Sequence, residues 1–315
     1  MTDTTEPNWE RKTLEKLAFS AIEEQKRTRR WGIFFKVLTF LYLLFVLFAT
    51  LGWFRHGTHG TAATHTAVID VQGVIANGNE ASAERIIASL RKAFEDTKTQ
   101  GVVMRLNTPG GSPVQAGQIN DEIKRLRAKY PKIPLYAVVD DVCASGGYYI
   151  AVAADKIFVD KASLIGSIGV LMDGFGFTGT MEKLGVERRL ITAGANKGML
   201  DPFSPLDPKH AEYAKAMIKQ IHEQFIKVVR DGRGARLKET PDMFTGLIWS
   251  GEEGIKLGLV DALGSLDYVA REVIKAEDVV DYSSHESLPE RLAKRLGIGV
   301  ASALLNSGGS VPQLK

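Results

Sequence analysis

One stretch constrains this chain before any other. Gly32 to Phe54 reads GIFFKVLTFLYLLFVLFATLGWF and carries no charge from Val37 to its end. At about 1.5 Å per residue it spans roughly 34 Å, against a hydrocarbon core of about 30 Å. Apolarity on every face predicts a single membrane-spanning helix at 32–54 rather than a buried core helix. Lys36 lies near one end, where its stem reaches the headgroups, and Trp31 and Trp53 mark the two edges. Arg11, Lys12, Lys16, Lys26, Arg27, Arg29 and Arg30 precede the span, and only Arg55 follows it closely. The positive-inside rule therefore predicts a cytoplasmic N-terminal segment, 1–31, with the bulk of the chain outside the membrane. A cleaved signal peptide has a shorter apolar region, about 7–15 residues, and Ala62-Ala63 is a poor cleavage site, so a retained anchor is expected.

Around the span, Leu14, Leu17, Ala18, Ala21 and Ile22 recur at helical spacing, which predicts a short amphipathic helix over 8–25 on the cytoplasmic face. Residues 55–66 read as a polar linker. His56, His59 and His65 within it are expected to be solvated, since nothing there fixes a metal geometry. A net charge of only +3 gives no global reason to expect nucleic acid. The single cysteine, Cys143, excludes an intrachain disulfide and a Cys-rich zinc site.

From residue 67 strand and helix patterns alternate. Strands are predicted at 67–75, 101–106, 133–139, 156–159, 163–171 (broken by glycine), 186–192 and 259–261. Helices are predicted at 80–98, 113–130, 148–154, 177–184, 208–230, 249–257 and 266–275. Continuous apolar strands separated by helices imply an α/β domain with a mostly parallel sheet covered on both faces. The domain is expected to span 67–279, followed by a tail, 280–315, in which 291–305 has amphipathic helical spacing. In such folds sites gather at the carboxyl ends of strands. The turn Asn107-Thr108-Pro109-Gly110-Gly111 and the loop 140–147 occupy such positions.

Ser145, in Ala144-Ser145-Gly146-Gly147, falls between a buried strand and an apolar helix. There its hydroxyl lies near helix amides that stabilise developing negative charge, although a small residue packed beside two glycines also explains the pattern. The paired glycines at 110–111 leave backbone N–H groups free to meet a ligand, as an ordinary turn also does. A serine nucleophile needs a base. His56, His59 and His65 lie in the linker, His210 and His222 in a long helix and His285 in the tail, none of them after a strand. Lysine serves when desolvation or neighbouring positive charge leaves it neutral. Lys197 follows a strand-like segment among small residues, but a lone loop lysine is ordinarily a solvated surface group.

These segments together resemble the bacterial signal peptide peptidase SppA family, whose core is that of the ClpP/crotonase superfamily. The resemblance is carried, in order, by Asn107–Gly111; by Ala144-Ser145-Gly146-Gly147-Tyr148-Tyr149 running into Ala153-Ala154-Asp155-Lys156-Ile157; by Gly166-Ser167-Ile168-Gly169-Val170; and by Gly194–Lys197. Each motif alone is weak; the ordered set, over roughly 67–275, is specific. It implies a Ser/Lys dyad, with Ser145 as nucleophile, Lys197 as general base and Ser167 orienting that base. The amides of Gly111 and Gly146 would form the oxyanion hole. Neither Lys197 nor Ser167 is selected by the residues alone. A single copy of the core matches the short form of the family. That form implies a ring-like homo-oligomer, an octamer by expectation, in which one subunit's lysine serves its neighbour's serine. No metal or cofactor is expected. The implied substrates are signal peptides or other apolar extended peptides at a bacterial inner membrane. The rival readings are a hydratase on the same core and a catalytically silent membrane scaffold. An intact Ser145 and Lys197 argue against the scaffold.

Overall fold

The computed structural model describes residues 9–50 and 64–284. The expected linker residues His56 and His59, the edge residue Trp53 and the tail from 285 on, with its expected helix at 291–305, lie outside the described residues. Residues 9–50 and the α/β domain are two separate units.

The first unit is one continuous helix, α1 (Trp9–Thr50). It is long and apolar enough over Leu14–Phe48 to cross a membrane. The sequence predicts two helices here, a short amphipathic one and a span; the structure joins them. Residues 23–31 consist mainly of good helix formers without proline, so nothing breaks the helix between them.

The second unit is built on one sheet. Its strands are β1 (His65–Gln72), β2 (Thr99–Thr108), β3 (Leu135–Ala144), β4 (Lys156–Val159), β5 (Leu164–Gly166), β6 (Ile248–Ser250), β7 (Ala262–Leu263) and β8 (Val279–Asp281). The main path runs β6-β5-β3-β2-β1-β8, with β4 beside β3 and β7 beside β4. Every pairing is parallel except β5 with β6. The helices are α2 (Ala83–Glu95), α3 (Pro113–Lys129), α4 (Gly146–Ala151), α5 (Thr178–Lys183), α6 (Pro208–Arg233), α7 (Gly251–Lys256) and α8 (Leu266–Tyr268), the last continuing as wide π-type turns over Val269–Ile274.

Strand alternation sorts the core into two layers. Ile69, Met104 and Val139 face one side, with Ile86, Leu90, Ile119 and Ile123 of α2 and α3. Val103, Val138 and Phe158 face the other, against Val269 and Ile274. Pro113 opens α3 where the sequence places its start, and Ser112 caps it by accepting the Gln115 N–H.

One irregularity matters for the site. Leu106 pairs with Val139 and Thr108 with Cys143, so β3 advances four residues where β2 advances two. The bulge, Asp140–Val142, divides β3 between partners: residues 136–138 pair with β4 and 142–144 with β5. The Asn107 side chain donates to Asp141 at 3.1 Å and the Ser163 hydroxyl to the Asp140 carbonyl at 2.6 Å, bracing it. Sequence reading takes 140–144 as loop; it is strand, because the bulge interrupts the expected alternation without ending the pairing.

Other expectations change too. Of 163–171 only Leu164–Gly166 is strand, because Gly166 and Ser167 both take positive φ, 99° and 50°. Residues 186–192 form no strand, and Ile191 is 95% exposed; a β-prone segment without a sheet edge to pair with stays irregular. The helix expected from Trp249 starts at Gly251, since Ile248–Ser250 pairs with β5 and Ser250 caps the helix. Beyond residue 279, β8 pairs with β1. There the Tyr282 hydroxyl donates to Asp96 at 2.5 Å and meets His65 Nε2 at 3.0 Å. His65 is therefore buried and bonded rather than solvated.

The C-terminal end of α6 is fixed by a buried arginine. Arg233, 2% exposed, donates to the Gly258 carbonyl and to both oxygens of Asp261, at 2.8–3.0 Å. Burial works against ionising Asp261, but the Arg233 hydrogen bonds and charge, the Ile157 amide and Arg236 outweigh it and hold the carboxyl below its usual range. Arg233→Ala leaves that carboxylate buried without its main partner. It is expected to cost about 3–5 kcal/mol, read as a fall in the denaturant midpoint with the slope unchanged. A midpoint within error of the native chain would refute this.

Candidate active site

The end of β2 and the start of α4 meet at one point. After Thr108 the chain turns through Gly110 (φ 99°) and Gly111 (φ 150°). Gly110 N–H donates to Thr108 Oγ1 at 3.0 Å, and the segment is tied to Ile75 through Ile75 N to Gly110 O and Ser112 N to Ile75 O. These bonds leave the Gly111 N–H without an acceptor in the described residues. Glycine is required twice here. A Cβ at Gly110 would lie 2.6 Å from Gly146 N and 2.7 Å from the Ala144 oxygen, and one at Gly111 would strike the Ile75 carbonyl.

Ser145 joins β3 to α4 with φ 51° and ψ −121°, a backbone conformation L-residues rarely adopt. Two bonds hold it there. Its N–H donates to the Gly166 carbonyl at 2.8 Å, and its carbonyl accepts Tyr149 N–H at 3.0 Å. Gly146 is the first residue of α4, so its N–H has no intrahelical acceptor. The Gly111 amide lies 3.2 Å from where a Gly146 Cβ would stand, so the two free donors are close together, and both glycines line the same cleft as Ser145. Paired amides of this kind suit the oxyanion of an acyl-transfer intermediate.

These groups open into a cleft of about 510 Å³ that Ser145, Gly111, Gly146 and Ser167 all line. Its walls are largely apolar: Ala116, Tyr149, Val170, Leu171, Ile221 and Phe225. Tyr149 and Phe225 stand 5.1 Å apart, ring to ring. Ser167 is held by its own N–H, which donates to the Leu247 carbonyl at 2.7 Å. No Asp, Glu, His, Lys or Arg lines the cleft among the described residues. His222, next to Ile221, is engaged elsewhere, its Nε2 at 3.1 Å from the Ile168 carbonyl. Cys143 is wholly buried behind the strand end, and burial pushes its thiol far up, so it is inert as a nucleophile.

Lys197 is not part of this cleft. It is exposed, on a series of turns over 195–200, within a segment (171–206) that carries many exposed apolar side chains, among them Leu171, Phe175, Leu184 and Ile191. The structure thus brings together Ser145, Gly111, Gly146 and Ser167, and leaves Lys197 apart from them in the single chain.

Peptidase family S49 matches residues 127–280, which include Ser145, Ser167 and Lys197. A homologue from Synechocystis with a provisional protease name is 31% identical over 199 residues, 63% of this chain and 69% of its own length. The chain belongs to peptidase family S49. A protein of Haemophilus influenzae named Protease 4 is 30% identical over 227 residues, 71% of this S49 chain and 36% of that protein. A Brucella melitensis protein named Na(+)/H(+) antiporter NhaA is 41% identical over 208 residues, 64% of this chain but only 28% of the relative's length. That name describes a protein of which little more than a quarter is matched.

Sequence reading missed the α6 wall of the S49 cleft. Ile221 and Phe225 stand one turn apart on a helix whose apolar stripe reads equally well as ordinary core packing. Thr245 and Gly246, which also line the cleft, lie in a stretch without motif.

Proposed function

We propose that this chain is a membrane-anchored serine endopeptidase that cuts apolar extended peptides, residual signal peptides in particular. The observation that carries the reading is Ser145, strained at the head of α4, beside two unpartnered amides at the mouth of an apolar cleft. Ser145 Oγ attacks the peptide carbonyl and gives its proton to the neutral amine of Lys197. The Gly111 and Gly146 N–H groups bind the oxyanion. Lys197 then passes the proton to the leaving amine and activates water for deacylation, with Ser167 orienting it. The cleft's apolar walls favour side chains such as leucine, phenylalanine or alanine in the bound peptide.

Among the described residues no Asp, Glu, His, Lys or Arg lines the cleft, and Lys197 stands on an exposed apolar segment. Both observations support a homo-oligomer in which that segment packs on a second copy and delivers Lys197 to its neighbour's Ser145. A helix fit to span a membrane and the basic residues in its N-terminal half support an anchor with a cytoplasmic N-terminus and the peptidase domain on the far side of a bacterial inner membrane.

Mixing two inactive chains tests the reading. Ser145→Ala and Lys197→Ala are each expected to lack peptidase activity on an apolar fluorogenic peptide. Co-assembled, they are expected to recover a fraction of it, since some interfaces then pair an intact serine with an intact lysine. No recovery on co-assembly would reject the shared site. Full activity of Lys197→Ala alone would reject the base.

A further inference from the structure

The two free amides belong to different segments: Gly111 N–H to the turn after β2, Gly146 N–H to the first turn of α4. One side chain lies between those segments. Thr108, the last residue of β2, is wholly buried. Its Oγ1 accepts the Gly110 N–H at 3.0 Å. Its Cγ2 stands 2.6 Å from where a Gly147 Cβ would be, so the methyl fills the space of an absent side chain on α4. Gly110 backs onto the same helix start: a Cβ there would lie 2.6 Å from Gly146 N and 2.7 Å from Ser145 Cβ. The strand register carries the contact further back, because Thr108 pairs with Cys143 just past the β3 bulge, shortly before Ser145. Gly110 is buried as well, and among the described residues its N–H has no acceptor other than Thr108 Oγ1. Pro109, between them, has no N–H to offer.

We propose that Thr108 is a positioning residue for the oxyanion hole: its hydroxyl oxygen fixes the turn over 108–111 while its methyl abuts α4, so that one side chain sets the spacing of the Gly111 and Gly146 donors. The proposal rests on those two amides being the oxyanion donors. Such donors stabilise a developing charge only when they already stand at the right distance from it. Removing the acceptor leaves a buried N–H unpaired, which favours any rotation of the 109–111 peptides that finds it a new partner. The Gly111 amide moves with them. Thr108 does not line the cleft and touches neither substrate nor the reacting atoms.

The test is steady-state kinetics of the full-length chain on an apolar fluorogenic peptide. Binding of a non-reactive peptide analogue and the denaturant midpoint are measured beside it. Thr108→Val keeps the shape of the side chain and loses the acceptor. Its kcat is expected to fall on the order of tenfold, less than the loss of a donor outright, with KM and analogue binding within about twofold. Thr108→Ser returns the oxygen and gives up the methyl. It is expected to recover most of that kcat, although its midpoint falls with the lost packing. A merely structural role would lower the midpoint of both variants and leave kcat alone in both. Native kcat in Thr108→Val, with Gly111→Ala impaired, overturns the proposal alone. So does an equal loss of kcat in Thr108→Ser and Thr108→Val, or a fall in analogue binding as large as the fall in kcat. Native kcat in Gly111→Ala as well, or hydrolysis by Ser145→Ala, removes the oxyanion reading and the proposal with it. Should Thr108→Val fail to fold, Thr108→Ala beside Thr108→Ser isolates the same oxygen, since both lack the methyl. Thr108→Ala is then expected to be several-fold the slower in kcat. Equal kcat overturns the proposal.

Discussion

Ser145→Ala is expected to abolish peptide hydrolysis, with a loss on the order of 10⁴-fold or more, while the chain keeps its fold. The size follows from the role: without the hydroxyl no covalent intermediate forms, and only binding and the two amides remain to assist attack by water. The backbone at this residue adds a second readout. Its φ of 51° costs an L-residue about 1–3 kcal/mol and a glycine far less. Ser145→Gly is therefore expected to be as inactive as the alanine variant and to unfold at higher denaturant than Ser145→Ala. Activity in either variant, measured free of contaminating peptidase, would remove Ser145 as the nucleophile. A glycine variant less stable than the alanine one would show that the conformation carries no strain.

Gly111→Ala is expected to reduce kcat by about 10²–10³-fold, the cost of one misplaced oxyanion donor. The cause is steric. A methyl group at this position meets the Ile75 carbonyl, which itself accepts Ser112 N–H and so cannot move aside without breaking that bond. The turn must shift, and the Gly111 amide shifts with it. KM should change much less than kcat, because the donor acts on charge that appears only in the transition state. Equal loss in kcat and in binding of a non-reactive peptide would mean that the turn serves substrate binding instead.

Legibility from sequence followed the range of the forces involved. Local signals read well. Pro113 marks the start of α3, and two adjacent glycines mark a turn with free amides, because a fixed or positive φ is decided within a few residues. The alternation of apolar strands and helices predicted a parallel α/β sheet. Three features depended on distant partners and were not legible in the same way. The β3 bulge exists because Cys143 must reach register with Thr108 while the same strand changes partners from β4 to β5. Val186–Thr192 has strand composition but no edge to join. Ile221 and Phe225 become cleft walls only because α6 folds back across Tyr149. Ser167 and Lys197 were marked by family resemblance alone. In the single chain Ser167 shares the cleft with Ser145, whereas Lys197 stands outside it.

The placement of β1 has a mechanical consequence. His65 stands at the head of β1, the first strand of the α/β domain. That strand is flanked on one side by β2 over its whole length and on the other by β8. A pull along the axis of β1 would therefore act lengthwise on a strand gripped by parallel neighbours. All its ladder bonds would then be loaded at once, in shear, rather than peeled one at a time. His65, bonded to Tyr282 and close to Asp96, stands at the first point to feel the pull. The sheet could thus bear a load applied at the head of β1 without unravelling from that end.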